Sequence, residues 1–310
     1  MRIAILGSSG QLGYDLLQAI AARPADHAAL PFSGRAQLDI TNPAAITAML
    51  DAQKPDAIIN TAAFHNVDLC ESEPEAAYRT NTLAIRHLAE ACEHRQITLL
   101  QIGTDYVMEG APSSCSLLLA SGFSPSPLPE SAPVHPQSIY ALTRFGGDRM
   151  TLTHAPTRGY VIRSCGLFGV AGCKLKGGLN FVDTMIQVAR QKKPLAVVHD
   201  QIVAPTPTDD LARQLLTILD HLPRLAPGIY HAVSHGQCSW FEFARTALEL
   251  ANLPHTPPHL TPTTSRERPT PAKRPCYSVL DNAKLRALNL DVMTDWQSSL
   301  ARYIQTKYAP

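Results

Sequence analysis

The sequence predicts an α/β protein in which a doubly wound parallel sheet, flanked by helices, is joined to a smaller mixed α/β domain. Three observations support this prediction. Short apolar runs alternate with longer amphipathic segments through residues 1–165. A glycine triplet directly follows the first apolar run. Two proline-rich segments, at 111–137 and 254–275, interrupt the regular pattern. Alternation of this kind is typical of a parallel sheet covered by helices on both faces.

The predicted elements alternate in chain order. The apolar runs predict strands at 2–6, 28–32, 56–60, 97–103 and 160–165. The amphipathic segments between them predict helices at 11–22, 43–53, 74–95 and 138–153. Asn42 and Pro43 are typical of an N-cap and a first helical position. Ser72 and Pro74 indicate a similar start for the third helix.

The proline-rich segments predict irregular chain. Residues 111–137 are expected to form a long loop, and the leucines at 117–119 suggest a partly anchored flap. The segment 254–275 is expected to be mostly irregular and to precede a helical pair near 281–288 and 295–307. The predicted dinucleotide domain comprises residues 1–165 and roughly 206–235. The substrate domain comprises roughly 166–205 and 236–310.

Composition excludes several classes of protein. Lys+Arg total 27 and Asp+Glu 26, so no basic surplus indicates a nucleic-acid partner. No apolar run approaches the roughly 20 residues of a membrane span, and the first residues do not resemble a signal peptide. Seven cysteines without CxxC spacing favour a reduced, cytoplasmic protein. The 12 histidines lack a metal-binding spacing, so no metal site is predicted.

The glycine triplet predicts a dinucleotide site. Gly7, Gly10 and Gly13 lie between a strand and a helix, within "ILGSSGQLG". Gly7 would allow a tight turn, Gly10 would admit a pyrophosphate to the backbone N–H groups, and Gly13 would let the helix pack closely. The alternative is an ordinary glycine-rich turn. The strand–turn–helix context favours a Rossmann dinucleotide fold.

The end of the second strand suggests which dinucleotide binds. An acidic residue there would bind a ribose 2′-OH and favour NAD(H). This chain has Ser33, Gly34 and Arg35 instead, which suit a 2′-phosphate. NADP(H) is therefore the expected cofactor, with NAD(H) as the alternative. Asp39 and Ile40 are expected near the adenine.

Catalytic candidates lie at the end of the fourth strand and on the helix after the long loop. Thr104 and Asp105 close the strand at an edge where α/β sheets place ligands. Tyr140 and Arg144 are four residues apart and thus share a helix face. The cation is expected to lower the pKa of Tyr140 from about 10. The alternative is an amphipathic helix with an exposed arginine.

With these residues in place, the chain resembles the dTDP-4-dehydrorhamnose reductase family, a group of extended short-chain dehydrogenases/reductases. The resemblance spans nearly the whole chain. It includes "GSSGQLG" (7–13), "PDAIINTAAFHNVDLCESEPEAAYRTN" (55–81), "GTDYVMEG" (103–110), "VVHDQIVAPT" (197–206) and "RPTPAKRPCYSVLDNAKL" (268–285). The resemblance implies reduction of the 4-keto group of dTDP-4-dehydro-L-rhamnose, a nucleotide-sugar substrate. It is compatible with a homodimer.

The resemblance also implies roles for individual residues. Tyr140 would be the proton donor, Thr104 would orient the carbonyl, and Arg144 would occupy the position of the family's lysine. The cofactor-binding set is Gly7, Ser9, Gly10, Gln11, Leu12, Arg35, Asp39, Ile40, Ala62, Ala63, Tyr140 and Arg144. The substrate-binding set is Asn66, Val67, Thr104, Asp105, Gly166, Asn180 and Phe181.

The chain departs from the family pattern at several positions. Besides Arg144, Gly103 stands where the family usually has serine, and Gly166 where it usually has a tryptophan that lies against the substrate. Val203 replaces a usual glycine. Some members bind magnesium through glutamates at a dimer contact. The comparable positions here are Asp15 and "RQKKP" (190–194), so this metal site is not predicted.

These departures leave an alternative function. The chain also resembles the regulatory subunit of methionine adenosyltransferase, which shares the fold and binds NADP without turnover. The changes at Arg144 and Gly166 favour this binding protein, and Tyr140 favours the enzyme. A related reductase acting on another sugar is a further variant.

Overall fold

The computed structural model describes residues 1–108, 125–173 and 177–308. Its centre is a six-stranded, all-parallel sheet formed by β1 (Arg2–Leu6), β2 (Ala28–Phe32), β3 (Ala57–Asn60), β4 (Thr98–Thr104), β5 (Gly159–Ser164) and β8 (Gly228–His231). The strand order is β2-β1-β3-β4-β5-β8. The chain leaves β1 toward one edge and returns past it to β3, so the switch point lies between β1 and β3. Ligands of open α/β sheets bind at the carboxyl ends of the strands beside such a point.

Helices cover both faces of this sheet, as the alternating sequence predicts. They are α1 (Gln11–Ala21), α2 (Pro43–Gln53), α3 (Val67–Ser72), α4 (Pro74–Tyr78), α5 (Ala84–His94), α6 (Ile139–His154) and α8 (Thr208–Asp220). Apart from the predicted helix 74–95, strand and helix bounds agree with the prediction to within one or two residues for the elements predicted before residue 165. Asn42 is confirmed as the N-cap of α2, since its side chain accepts from Ala44 N and Ala45 N at 3.0 and 3.2 Å.

The predicted cap at Ser72 is wrong. Ser72 is the last residue of α3, a helix that the sequence did not indicate, and its hydroxyl donates back to Leu69 O at 3.1 Å. Glu73 is the N-cap of α4, without a side-chain cap bond. The predicted helix 74–95 also contains a π-helical turn at Arg79–Leu83 between α4 and α5. The prediction failed because serine and proline here mark the junction of two short helices.

A second layer follows β5. It contains α7 (Phe181–Arg190), β6 (Leu195–Val198), β7 (Ile202–Val203), β9 (Cys238–Ser239), α9 (Trp240–Leu250), β10 (Leu260–Thr263), α10 (Ala283–Ala287) and α11 (Trp296–Tyr308). Strand β10 pairs in parallel with β6, so the proline-rich segment 254–275 is not wholly irregular. Residues 109–124, which include the predicted flap at 117–119, lie outside the described residues.

Separate apolar clusters lie under these layers. One packs α1 and α8 on one face of the sheet, and another packs α2 and α5 on the opposite face. A third, rich in aromatic rings, joins α7, α9 and α11. The α/β architecture with a Rossmann sheet and a smaller mixed part is thus confirmed. The exact domain boundaries stay a prediction.

Two further features bear on the sequence-based expectations. Five of the described cysteines are free and buried, whereas Cys276 is disulfide-bonded, which differs from a fully reduced set. Across 1–108, 125–173 and 177–308, no helix has the length and apolarity needed to cross a membrane.

Candidate active site

The glycine turn lies at the switch point of the sheet. Gly7 has φ +83°, and a Cβ on it would stand 2.7 Å from Thr61 Oγ1 and 3.1 Å from Ala62 N. A Cβ on Gly13 would approach Gly7 O and Ser8 Cα to 2.5 Å. Both glycines therefore permit close approach, the first between turn and β3 and the second between α1 and the turn. A Cβ on Gly10, in contrast, would meet only Gly7 O, at 3.3 Å.

This turn suits the pyrophosphate of a dinucleotide. Gly10 is the N-cap of α1 and supplies no side-chain cap bond, so the N–H groups of the first turn remain available for an anion. Beside it, Gln11 Nε2 donates to Leu167 O at 3.2 Å, while its buried Oε1 has no partner among the described residues. Ser9 is half-buried, and Leu12 points into the core.

The remaining predicted cofactor residues surround the turn. Arg35 is exposed just beyond β2, and its charge helps to lower the pKa of Asp39, after the larger effect of hydrogen bonds from Thr41. Ile40 is buried in the core, so a cofactor could contact only its backbone. Ala62 and Ala63 are half-buried directly after β3, where the carboxyl edge of the sheet faces the glycine turn.

Tyr140 lies in the first turn of α6, whose start is firmly held. Ser138 caps the helix by accepting from Ala141 N at 3.2 Å, and Glu71 accepts from Ile139 N at 2.8 Å. The Tyr140 ring meets Tyr106 edge to face, with ring centroids 5.4 Å apart. The side chain belongs to a small apolar cluster packed against Val67. The loops after β3 and β4 therefore position this phenol.

The pKa of Tyr140 is raised, contrary to the expected direction. Burial is the largest cause, and the Arg144 charge and an interaction with the Thr104 side chain oppose it without cancelling it. The cation acts in the predicted direction, but removal of the phenol from water outweighs it. Tyr140 is consequently protonated at neutral pH, the form that a proton donor requires.

Arg144 is a buried residue. Its Nη2 donates to the backbone carbonyl of Ile102 on β4, and its guanidinium carbon lies 5.9 Å from the Tyr140 ring centroid. One turn further along α6, buried Asp148 accepts from Arg163 Nε at 2.9 Å and is also attracted by Arg144. The interpretation of Arg144 as an exposed surface residue is therefore wrong.

Arg163 also explains the glycine at position 103. The two residues face each other on paired strands, and a Cβ on Gly103 would stand 2.8 Å from Arg163 Cγ and 3.3 Å from Asp148 Oδ1. A serine would collide with the arginine side chain. Gly103 thus makes room for the buried Arg163–Asp148 pair behind the active site.

The structure separates the predicted substrate residues into two groups. Thr104 ends β4, and its hydroxyl donates to Asp105 Oδ1 at 3.2 Å. The Asp105 carboxylate is buried and accepts from Cys165 Sγ at 3.1 Å and Ser278 Oγ at 2.6 Å. Burial raises the pKa of Asp105. Asp105 therefore stabilises the floor of the crevice and does not present an open charge.

The second group lies beyond β5. Asn180 is the N-cap of α7, accepting from Asp183 N at 3.0 Å and donating to Gly169 O at 3.0 Å and to the Tyr303 hydroxyl at 2.8 Å. Because its amide is fully engaged, Asn180 acts as a cap. Asn66, which follows β3 and so lies apart from this group, is likewise a helix cap: it accepts from Leu69 N of α3 at 3.2 Å. Phe181 and Gly166 lie against the ring of Trp240.

Sequence reasoning missed Asn81. It lies in the π-helical turn, buried, where its Nδ2 donates to Thr143 Oγ1 at 3.1 Å and to Phe64 O at 3.0 Å. Its Oδ1 accepts from Phe64 N at 2.9 Å. This amide therefore ties the helix of Tyr140 to the loop after β3. Single π-turns of this kind are frequent at functional sites, but nothing in the local sequence indicated one.

Arg274 was also missed. It belongs to the proline-rich C-terminal segment, and its Nη2 donates to Asp68 Oδ2 at 2.9 Å on α3. Its charge lowers the pKa of Tyr106, although burial raises that pKa more. The neighbouring Lys273 donates to Gln137 Oε1 at 2.7 Å, just before α6. Two cations from the distant end of the chain thus lie beside α3 and the start of α6, the helix that carries Tyr140.

No group of three or more histidine, cysteine, aspartate or glutamate side chains within the described ranges could hold a metal ion. Asp15 is buried on α1, where it accepts from the Thr208 hydroxyl, and burial raises its pKa to about 6.

The fold and the site together define the class of protein. Thr104 and Tyr140 accompany a glycine turn at the switch point of a parallel sheet. This arrangement is that of an extended short-chain dehydrogenase/reductase, an oxidoreductase with a Rossmann domain.

Comparison with known proteins narrows the class. The family described as "RmlD substrate binding domain" matches residues 1–309. The dTDP-4-dehydrorhamnose reductase of Streptomyces griseus is 36% identical over 301 residues, covering 96% of this chain and 91% of that protein. A probable dTDP-4,6-dihydroxy-2-methyloxan-3-one 4-ketoreductase of Streptomyces antibioticus is 35% identical, covering 97% and 93%.

A solved structure indicates the same family. The dTDP-4-dehydrorhamnose reductase of Bacillus anthracis, in complex with NADP, superposes with a TM-score of 0.86 at 29% identity, covering 98% of this chain and 99% of that one. The chain therefore belongs to the dTDP-4-dehydrorhamnose reductase family, as its sequence motifs predicted.

Proposed function

We propose that this chain is an NADPH-dependent reductase of a dTDP-linked 4-keto-6-deoxysugar, with dTDP-4-dehydro-L-rhamnose as substrate and dTDP-L-rhamnose as product. The observation that carries the proposal is that Thr104, the last residue of β4, lies within reach of the Tyr140 phenol on α6. The relatives' names support the chemistry at the sugar 4-position, since two of them are named for 4-keto sugars.

The cofactor would occupy the groove between the glycine turn and the carboxyl ends of β3 and β4. NADPH, when bound, supplies the hydride that the sugar C4 receives. Gly10 and the N–H groups that start α1 would hold its pyrophosphate. Exposed Arg35 would pair with the 2′-phosphate, which favours NADP(H) over NAD(H). The complex of the related Bacillus anthracis protein with NADP supports this choice.

Positioning of the keto group, its protonation and stabilisation of the resulting charge would fall to Thr104, Tyr140 and Arg144. The Thr104 hydroxyl would hydrogen-bond the keto oxygen and fix its position. Tyr140, kept neutral by burial, would donate its proton to that oxygen as negative charge develops. Arg144 would stabilise the phenolate that remains, acting through its charge from 5.9 Å. The Ile102 carbonyl holds the guanidinium in place, so Arg144 could fill this electrostatic role without contacting the ribose.

A second candidate function is a dinucleotide-binding regulatory protein without turnover. The observation that favours it is the engagement of Arg144 with the Ile102 carbonyl, which directs one guanidinium nitrogen away from a cofactor. This arrangement predicts binding of NADPH without its oxidation. The two candidates differ in turnover alone.

The deciding experiment mixes the protein with NADPH and dTDP-4-dehydro-L-rhamnose and follows the absorbance of the reduced nicotinamide. Turnover is expected, and Tyr140→Phe should reduce it by about 10²- to 10⁴-fold because general acid catalysis contributes about that much. Tyr160→Phe is the matched control, since it removes a buried phenol that donates to Leu225 O at 3.2 Å, away from the crevice.

The outcome separates three interpretations of the site. Oxidation of NADPH with this sugar supports the proposal. Oxidation only with another dTDP-4-keto sugar retains the chemistry and corrects the substrate. Tight NADPH binding without oxidation across a panel of such sugars contradicts the enzyme and supports the regulatory protein.

A further inference from the structure

Two helices of the second layer begin with aromatic residues that face each other. Phe181 is the first residue of α7 and Trp240 the first of α9, and their ring centroids lie 4.7 Å apart. Both side chains are only half-buried, although the neighbouring Phe243 is fully buried. Trp240 borders two apolar clusters, the aromatic one of the second layer and another beneath the crevice. An indole is therefore partly exposed at the seam between the two parts of the chain.

Gly166 connects this aromatic pair to the reacting centre. Thr104 pairs with Ser164 across β4 and β5, so Gly166 lies two residues beyond the partner of the catalytic threonine. Gly166 has φ +52°, and a Cβ on it would stand 3.4 Å from the outer edge of the Trp240 ring. Glycine supplies no side chain here, so Pro205, whose Cα would stand 3.3 Å from the same Cβ, is the nearest neighbour at this edge of the indole.

The position of Gly166 near Thr104 indicates which part of a nucleotide sugar would reach the Phe181–Trp240 pair. The keto oxygen on the carbon that accepts hydride would lie within hydrogen-bond range of Thr104. The rest of the same six-membered ring extends over the end of β5, whereas the base is separated from the sugar by a diphosphate. A 6-deoxyhexose has a methyl group and C–H faces, which suit an aromatic wall that sits beside a few polar groups.

We propose that Trp240, backed by Phe181, is a specificity-determining residue that packs against the deoxyhexose ring of the substrate. The inference rests on the proposed function for the identity of the ligand. It assigns selection of the sugar to the start of α9, a segment that carries none of the predicted catalytic or substrate-binding residues.

The chain has two tryptophans, which makes a direct test practical. Trp296→Phe leaves Trp240 as the single indole, and Trp240→Phe leaves Trp296, which is buried and 5.9 Å from Phe243. Both variants are titrated with dTDP-L-rhamnose and with dTDP, using NADP⁺ because reduced nicotinamide absorbs tryptophan emission. We expect dTDP-L-rhamnose, but not dTDP, to change the fluorescence of Trp240, and neither ligand to change that of Trp296.

Kinetics provide an independent readout. Trp240→Ala should raise the KM for the sugar nucleotide about tenfold, the scale of one lost aromatic contact, without changing the KM for NADPH. Trp240→Phe should retain most of the affinity, and circular dichroism verifies that each variant is folded. Trp296→Phe serves as the matched control.

Two results would overturn the inference: an equal fluorescence response to dTDP alone, or no response together with an unchanged KM in Trp240→Ala. Failure of the proposed function is distinguishable. A fluorescence response to dTDP-L-rhamnose without turnover of its 4-keto precursor would retain the wall and reject the reductase. Turnover of the 4-keto sugar that is unaffected by substitution of Trp240 would retain the reductase and reject the aromatic contact.

Discussion

Substitution of Arg144 separates the contribution of its charge from that of its shape. A unit charge at 5.9 Å from the ring contributes on the order of 3 kcal/mol at an effective dielectric constant of about 20. Arg144→Met removes the charge and keeps much of the length. The pKa of Tyr140, already raised by burial, should therefore rise further, because the Arg144 charge that lowers it is gone.

The reverse reaction reports this shift. Oxidation of dTDP-L-rhamnose by NADP⁺ requires Tyr140 as phenolate, so its rate increases with pH up to the pKa of the phenol. At pH 8 the loss of this charge interaction lowers the phenolate population, and the rate should decrease by on the order of a hundredfold, which corresponds to about 3 kcal/mol. Arg144→Lys keeps the charge and should preserve the pH profile. Its kcat/KM should increase, because a flexible ammonium can leave Ile102 and reach the nicotinamide ribose.

The control is Arg149→Met, which removes an exposed charge from the same helix. It should leave the pH profile unchanged. If Arg144→Met has the profile and rate of the unmodified protein, the cation does not act on Tyr140, and the role assigned to it is refuted. If Arg144→Lys leaves kcat/KM unchanged, the side chain at 144 does not reach the nicotinamide ribose, and only its charge can contribute.

Three further predictions concern the cofactor turn, a buried acid and the entrance. Gly13→Ala should lower the melting temperature by roughly 3 °C and abolish NADPH binding, because its Cβ would meet backbone atoms at 2.5 Å. Gly10→Ala, with one contact at 3.3 Å, should mainly weaken NADPH binding, as calorimetry would reveal. Asp15→Asn should raise the free energy of unfolding at pH 8 by about 1–3 kcal/mol. The folded-state pKa of Asp15 is raised to about 6, so the stability that its proton contributes is present below about pH 4 and lost as the pH rises through 6. The advantage of asparagine should therefore vanish toward pH 4 in denaturant titrations, and an advantage independent of pH would contradict this explanation. Arg274→Gln should raise the KM for the sugar nucleotide about tenfold or more, since a diphosphate needs a cation near the entrance, while exposed Arg268→Gln should not. Equal effects of the two would exclude a local role for Arg274.

Local sequence patterns predicted the elements before residue 165 because each strand and helix there carries its own signal. Asn42 with Pro43 fixed the start of α2, and the glycine triplet located the turn between β1 and α1. The Rossmann fold and the family were predicted from these patterns. The pKa of Tyr140 was not, because burial is a property of the assembled tertiary structure. Cytoplasmic location and a homodimer stay predictions.

Long-range contacts account for the missed residues. The role of Asn81 depends on its hydrogen bonds to Thr143 and Phe64, which are distant from it in sequence. The role of Arg274 depends on its ion pair with Asp68. The prediction that Asn180 faces the sugar nucleotide is likewise a matter of side-chain direction. Its sequence neighbourhood equally suits the helix cap that it forms, and only the fold decides between them.

The pairing of Gly103 with Arg163 has an evolutionary consequence. The Cβ of a serine at 103 would stand 2.8 Å from Arg163 Cγ, so the substitution is expected to be harmful in this background. Shortening Arg163 first would relieve the clash but would leave the buried Asp148 without its partner. The order in which these three positions change is therefore restricted. Transplanting single active-site residues from a homologue into this chain should fail unless the opposite strand is exchanged as well.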